Sequence, residues 1–124
     1  MQGASATDAI LKTAPNAKVK VFVIWEPIVF SDIAVPADTV LQRVADGRVA
    51  QFYDRKHLVS GELRDQMLAH GVTGQEYFVK DEYVWDSIAV YAPGMRWEAG
   101  GAPKPDFVGA PVVEVSDRLG SYLR

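Results

Sequence analysis

The amino-acid sequence predicts one α/β domain, a three-layer sandwich in which helices flank a mixed sheet of four or five strands. Strand-like apolar runs at residues 18–25, 48–53 and 84–91 alternate with stretches of helical spacing. Pro93-Gly94 supplies a turn that folds residues 95–98 back on the last run as a hairpin. The chain has 124 residues, 48% of them apolar and 23% charged. A chain of that size buries a core without a disulfide or metal staple.

The elements follow in order. Residues 8–14 form a short helix, with Thr7 as cap and Pro15-Asn16 as stop. In residues 18–25, Val19, Val21 and Val23 share one face, and Phe22 and Ile24 the other. Apolar residues on both faces predict a central strand covered on both sides. Pro27 cannot donate to a ladder and ends it. Residues 32–36 lead into a second helix, with Pro36 in its first turn. Its apolar stripe is Ala37, Val40, Leu41, Val44 and Ala45, and Gly47 stops it. Residues 48–53 are the second strand, and a helix between two such strands predicts a parallel, right-handed crossover.

Ser60 then reads as the N-cap of a third helix that runs to about His70, with Leu63, Met67 and Leu68 inward and Gly71 as its end. Residues 84–91 and 95–98 form the hairpin, and residues 99–111, dense in Gly and Pro, form a loop. Residues 112–115 are either a short strand or a helix opened by Pro111; Leu119, Tyr122 and Leu123 predict a terminal helix with Ser116 as cap. Residues 1–17 form an N-terminal helical segment of the same domain that spans residues 18–124.

Composition closes several chemistries. With no cysteine, there is no thiol nucleophile, redox CxxC, thiolate-bound zinc or iron–sulfur cluster. Thirteen basic against 16 acidic residues, scattered along the chain, argue against nucleic-acid binding. The longest apolar run, residues 21–30, is broken by Glu26 and Pro27, so no membrane span is expected. Residues 1–7 lack the pattern of a signal peptide. The expectation is a soluble protein, cytoplasmic or exported after signal removal.

The element order resembles the thioredoxin fold, and local text agrees. Val21-Phe22-Val23-Ile24-Trp25 stands where that family's strand enters its active-site loop. Residues 87–97 (SIAVYAPGMRW) resemble its strand–turn–strand, and Phe107-Val108-Gly109-Ala110 the segment before its last helix. Val23-Ile24-Trp25-Glu26-Pro27, followed by Asp32 and by Gln51-Phe52-Tyr53-Asp54, is similar to an uncharacterised bacterial group of thioredoxin-like proteins without CxxC. The likeness spans residues 18–123. Where the family carries CxxC, this chain has residues 25–30 (WEPIVF), and no Pro immediately precedes the third strand, where the family has a cis-Pro. The resemblance therefore implies a fold and no catalytic residue.

Two sets of residues are candidates for function. Glu26 follows the first strand and Asp54 the second; Asp32 and His57 lie nearby in sequence. In a parallel sheet both strand ends share the edge where α/β proteins bind ligands. Carboxylates with an imidazole there could hold a divalent metal or divide acid and base roles. The commoner role of such acids is structural, as helix caps or turn formers. The second set is aromatic. Trp25, Trp85 and Trp97, with Pro27, form a candidate surface for a protein partner or small ligand. Core and rim packing is the commoner use of such aromatics. A non-redox binding domain is thus the first expectation and a carboxylate enzyme the second. An exposed edge strand leaves a homodimer open.

Overall fold

The computed structural model describes residues 2–27, 35–72, 78–79 and 83–123. Its described part is mixed α/β, with four α-helices, a 3-10 helix and strands paired two by two in three small sheets. The chain divides into two compact units, Met1–Lys56 with Val112–Arg124, and His57–Pro111.

In the first unit, α1 (Gln2–Thr13) starts earlier than the sequence predicts. Thr7 is not its cap: it is buried within the helix, and its hydroxyl donates to the Gly3 carbonyl (2.8 Å). Leu11, 1% exposed, faces inward. The helix stops before Pro15, whose ring disfavours helical backbone at Ala14. The carbonyls left over at its end are then taken by one cation. The Arg48 guanidinium donates to the carbonyls of Leu11 (2.9 Å), Ala14 (2.7 Å) and Ala17 (3.2 Å). It also forks onto Asp46, with Nε 2.9 Å from Oδ1 and Nη2 2.7 Å from Oδ2. These bonds, and the Arg48 N–H, hold the Asp46 carboxyl down at about 2.

Strands β1 (Val21–Trp25) and β2 (Val49–Tyr53) pair in parallel, with Val21 opposite Val49 and Trp25 opposite Tyr53. Register and alternation put Phe22, Ile24, Ala50 and Phe52 on one face. Gln51 lies on the other face. Its amide donates to the carbonyls of Leu41 (2.8 Å) and Val44 (3.2 Å) and accepts from the Trp25 indole N–H (2.8 Å).

That amide accounts for a correction. The stripe over residues 37–45 predicts a helix ending at Gly47, but α2 is only Asp38–Leu41. A longer helix would bond the Ala45 N–H to the Leu41 carbonyl. Here Ala45 donates to Asp8 Oδ1 of α1 (3.3 Å), and the Leu41 carbonyl receives Gln51. Tertiary hydrogen bonds replace the helical one, and Val44 is still buried, at 2% exposure. The tail also settles. Pro111 leads into helix α4 (Val112–Val115), not a strand, and a 3-10 helix, Ser116–Ser121, follows. Ser116 makes no cap bond; its hydroxyl donates to the Val113 carbonyl (3.2 Å). Val112, Val115 and Leu119 recur at helical spacing, and all are buried. Both helices pack on α1.

In the second unit, α3 (Leu58–Ala69) begins two residues before the expected cap. His57 takes the cap position in left-handed backbone (φ 55°). Ser60 is instead buried inside the first turn and donates to the Val84 carbonyl (3.0 Å), tying α3 to β4 (Tyr83–Val84). β4 pairs antiparallel with β3 (Phe78–Val79).

The single strand expected over residues 84–91 is broken. Asp86 turns to φ 43° and Ser87 donates to the Trp85 carbonyl (2.7 Å), so β5 (Ile88–Val90) starts afresh. Its partner is not residues 95–98, which are outside any named strand, but β6 (Phe107–Gly109), antiparallel, from the stretch expected to be loop. Asp106 N–H extends that ladder to the Val90 carbonyl (2.7 Å). Glu98 is committed elsewhere, in a tight turn in which it and Gly101 exchange backbone bonds of 2.9 and 3.3 Å.

Candidate functional site

The two candidate carboxylates that the structure describes leave one edge of the β1–β2 pair. Glu26 directly follows β1, and Asp54 directly follows β2. The Asp54 N–H donates to the Trp25 carbonyl (2.7 Å), one step past the last registered pair. Asp54 is 8% exposed, and Glu26 is partly exposed. Asp32 lies outside the described residues. His57 opens the second unit, where its ring stacks on Tyr83 with centroids 4.0 Å apart and planes 9° apart. Among the described residues no group of three His, Asp or Glu is arranged to hold a metal ion.

The aromatic set divides between the two units. Trp25 and Pro27 are partly exposed in the first, where the Trp25 indole N–H is spent on Gln51. Trp85 and Trp97, in the second, are 51% and 48% exposed. The first unit also shows an aromatic pair not singled out from the sequence. Phe22 and Phe52 sit on the same sheet face with centroids 6.2 Å apart, and both are more than half exposed. Desolvation pushes the half-buried Tyr91 phenol above its ordinary value.

An open cavity of about 380 Å³ lies within the second unit. Its walls are the first turns of α3, through Leu58, Val59 and Glu62, and the segment Trp97, Glu98, Ala99 and Gly101. Leu58 is 71% exposed, so the first residue of α3 presents its side chain to solvent. Gly101 permits this construction. Its φ is 106°, a value that disfavours any L side chain. A Cβ there would collide with the Gln66 amide nitrogen and come within 2.6 Å of Glu62 Oε1. A larger residue there would have to displace the ends of these two side chains and hold a strained φ. Gln66 spans the two walls, donating to Glu62 Oε1 and to the Gly100 carbonyl, both at 3.4 Å.

Of the groove residues, only Trp97 is a candidate from sequence. Leu58 escapes because a start at Ser60 leaves it outside the helix. Glu98 falls in the expected hairpin strand 95–98, and Gly101 in the Gly-rich stretch that reads as a plain connection. The available signal was Gly100-Gly101 one residue after the aromatic–acid pair Trp97-Glu98. A second cavity, of about 270 Å³, lies beside α2, and there the Gln51 amide is already bonded to Leu41 and Val44. Among known proteins, no family model, curated sequence or solved structure matches this chain.

Proposed function

We propose that this chain is a thioredoxin-like domain without thiol chemistry, and that it binds a protein partner or small ligand through the groove between α3 and the 97–101 segment. Three features support the architecture: the parallel β1–β2 pair with a helix between, the antiparallel β5–β6 pair, and the helix that follows it. The absence of cysteine removes thiol–disulfide exchange. One observation carries the binding role: Leu58 and Trp97 stand 71% and 48% exposed in the walls of one groove. Exposed apolar side chains gathered in a concavity mark interaction sites far more often than scattered ones do. Nile red, a neutral apolar dye, tests this reading. The folded protein is expected to enhance its fluorescence, and L58S and W97A to abolish the enhancement with unchanged circular dichroism. No enhancement, or enhancement indifferent to both substitutions, rejects the groove as a binding site.

A second reading rests on Asp54. A carboxylate only 8% exposed at the ligand-binding edge of a parallel pair, beside Glu26, fits a carboxylate-based enzyme that uses a divalent ion. Calorimetric titration with Mg²⁺ and Mn²⁺ separates the two readings. Binding lost in D54N and kept in W97A favours the enzyme, and no binding to the wild type rejects a metal at this edge.

A further inference from the structure

The groove's lining specifies more than an apolar contact. Among the described residues its ionisable lining is Glu62 and Glu98, both acids, with no Lys or Arg. Among the described residues neither carboxylate has a cation within salt-bridge distance; the pairs in this unit's helix engage Arg64 with Asp65 instead. Glu62 accepts only a long bond from the Gln66 amide (3.4 Å). The third polar feature is the indole of Trp97, half exposed in the same wall. An indole face attracts a cation through its quadrupole, and a guanidinium most readily because it also stacks. Two carboxylates and an indole around an apolar floor converge on one kind of occupant.

We propose that the groove takes a cationic amphipathic peptide segment of a partner protein, with an arginine or lysine set beside a bulky apolar side chain. The proposal rests on the binding reading above and deepens it. The apolar side chain lies against Leu58 and Val59, and the cation lies between Trp97 and the carboxylates of Glu62 and Glu98. A second copy of this chain is a poorer occupant. A two-fold interface sets a patch against itself, and here that opposes carboxylate to carboxylate. Arginine outranks lysine in the proposal, because only its planar fork both stacks on an indole and meets a carboxylate with two bonds.

The test uses three fluorescein-labelled short peptides with one apolar core and flanks of Arg, Ser or Glu. Each is titrated into the full chain by fluorescence anisotropy, at low and high salt. The proposal predicts that the Arg-flanked peptide binds about tenfold or more tighter than the Glu-flanked one at low salt, as two partly exposed charge contacts allow. Salt narrows the difference. E62Q and E98Q are expected to erase it while Ser-flanked binding persists, and W97A to weaken all three. Glu98 is exposed and Glu62 partly so, and glutamine keeps the shape of either side chain, so unchanged circular dichroism is expected of both variants.

Equal binding of the three peptides, unaffected by E62Q and E98Q, overturns the proposal and leaves the apolar binding reading standing. Failure of all three to bind overturns the proposal and, with a negative Nile red result, the reading beneath it. Analytical ultracentrifugation supplies the last arm: a concentration-dependent dimer abolished by W97A assigns the groove to a second copy and overturns the peptide proposal.

Discussion

The two units differ in how much core they bury and in what lines their cavities. In Met1–Lys56 with Val112–Arg124, long polar side chains reach across elements to occupy backbone groups: Arg48 on the end of α1, Gln51 on the end of α2, Asp8 on the Ala45 N–H. Five of the buried apolar residues, Leu11, Val44, Val112, Val115 and Leu119, belong to this unit. In His57–Pro111 the buried apolar residues are Met67 and Ala102, while Leu58, Leu68, Trp85, Met95 and Trp97 stand near half exposed or beyond. A region whose polar groups are already engaged has stability as its main output. On the proposed reading, a region with exposed apolar groups and two carboxylates that lack a cation partner among the described residues would hold interaction energy in reserve for a partner. The first unit also leaves Phe22, Val35, Phe52, Val113 and Tyr122 exposed, but none of them lines either described cavity.

The contrast can be broken by substitution, and the effects on stability should fall in a definite order. L11A removes a side chain that is 1% exposed, and should cost about 2–5 kcal/mol in urea denaturation. A cost under about 1 kcal/mol would mean that the α1 contact is not core. G101A forces a Cβ against Glu62 and Gln66 and strains φ 106°. It should cost more than about 1 kcal/mol and weaken groove binding together with stability. Neutral behaviour would show that the 98–101 turn does not need its close approach to α3.

The third effect is smaller and depends on pH. Arg48 lowers the folded-state pKa of Asp46 to about 2, against 3.8 for the ordinary carboxyl. The pair's contribution to stability is therefore complete above the ordinary value and lost as pH falls through about 2. The gap in thermal midpoint between wild type and D46N should be constant near neutrality, shrink below about pH 4 and close near 2. A gap that persists at the acid end would put its origin outside this carboxylate. L58S should matter least for folding, within about 0.5 kcal/mol, because Leu58 is 71% exposed, and W97A should cost about 1–2 kcal/mol, since about half of Trp97 is covered. Yet these two should remove dye and peptide binding. A large stability loss from either would make the groove part of a core.

Sequence periodicity was sufficient for the mixed α/β class, for β1 and β2, and for the limits set by Pro15 and Gly71, because local backbone chemistry decides those. It failed wherever a distant group intervened. The residue 37–45 stripe is helical in pattern, but the amide of Gln51 and the carboxylate of Asp8 end the helix after Leu41. Ser60 has cap chemistry, but its hydroxyl is drawn to Val84. The Gly-rich stretch reads as a connection, and both β6 and the Ala99 and Gly101 part of the groove come from it. Of the site, Trp97 was legible as an amphipathic aromatic. Leu58, Glu62 and Glu98 were not, because their meaning lies in juxtaposition across more than thirty residues.

The most direct test of the central claim maps binding onto backbone amides. A ¹⁵N–¹H spectrum of the full chain, titrated with the Arg-flanked peptide, should shift the resonances of Leu58, Val59, Glu62, Trp97, Glu98 and Gly101 and leave those of Trp25, Glu26, Gln51 and Asp54 in place. Shifts centred on Glu26 and Asp54, with the groove silent, would contradict it and move the functional site to the parallel-strand edge.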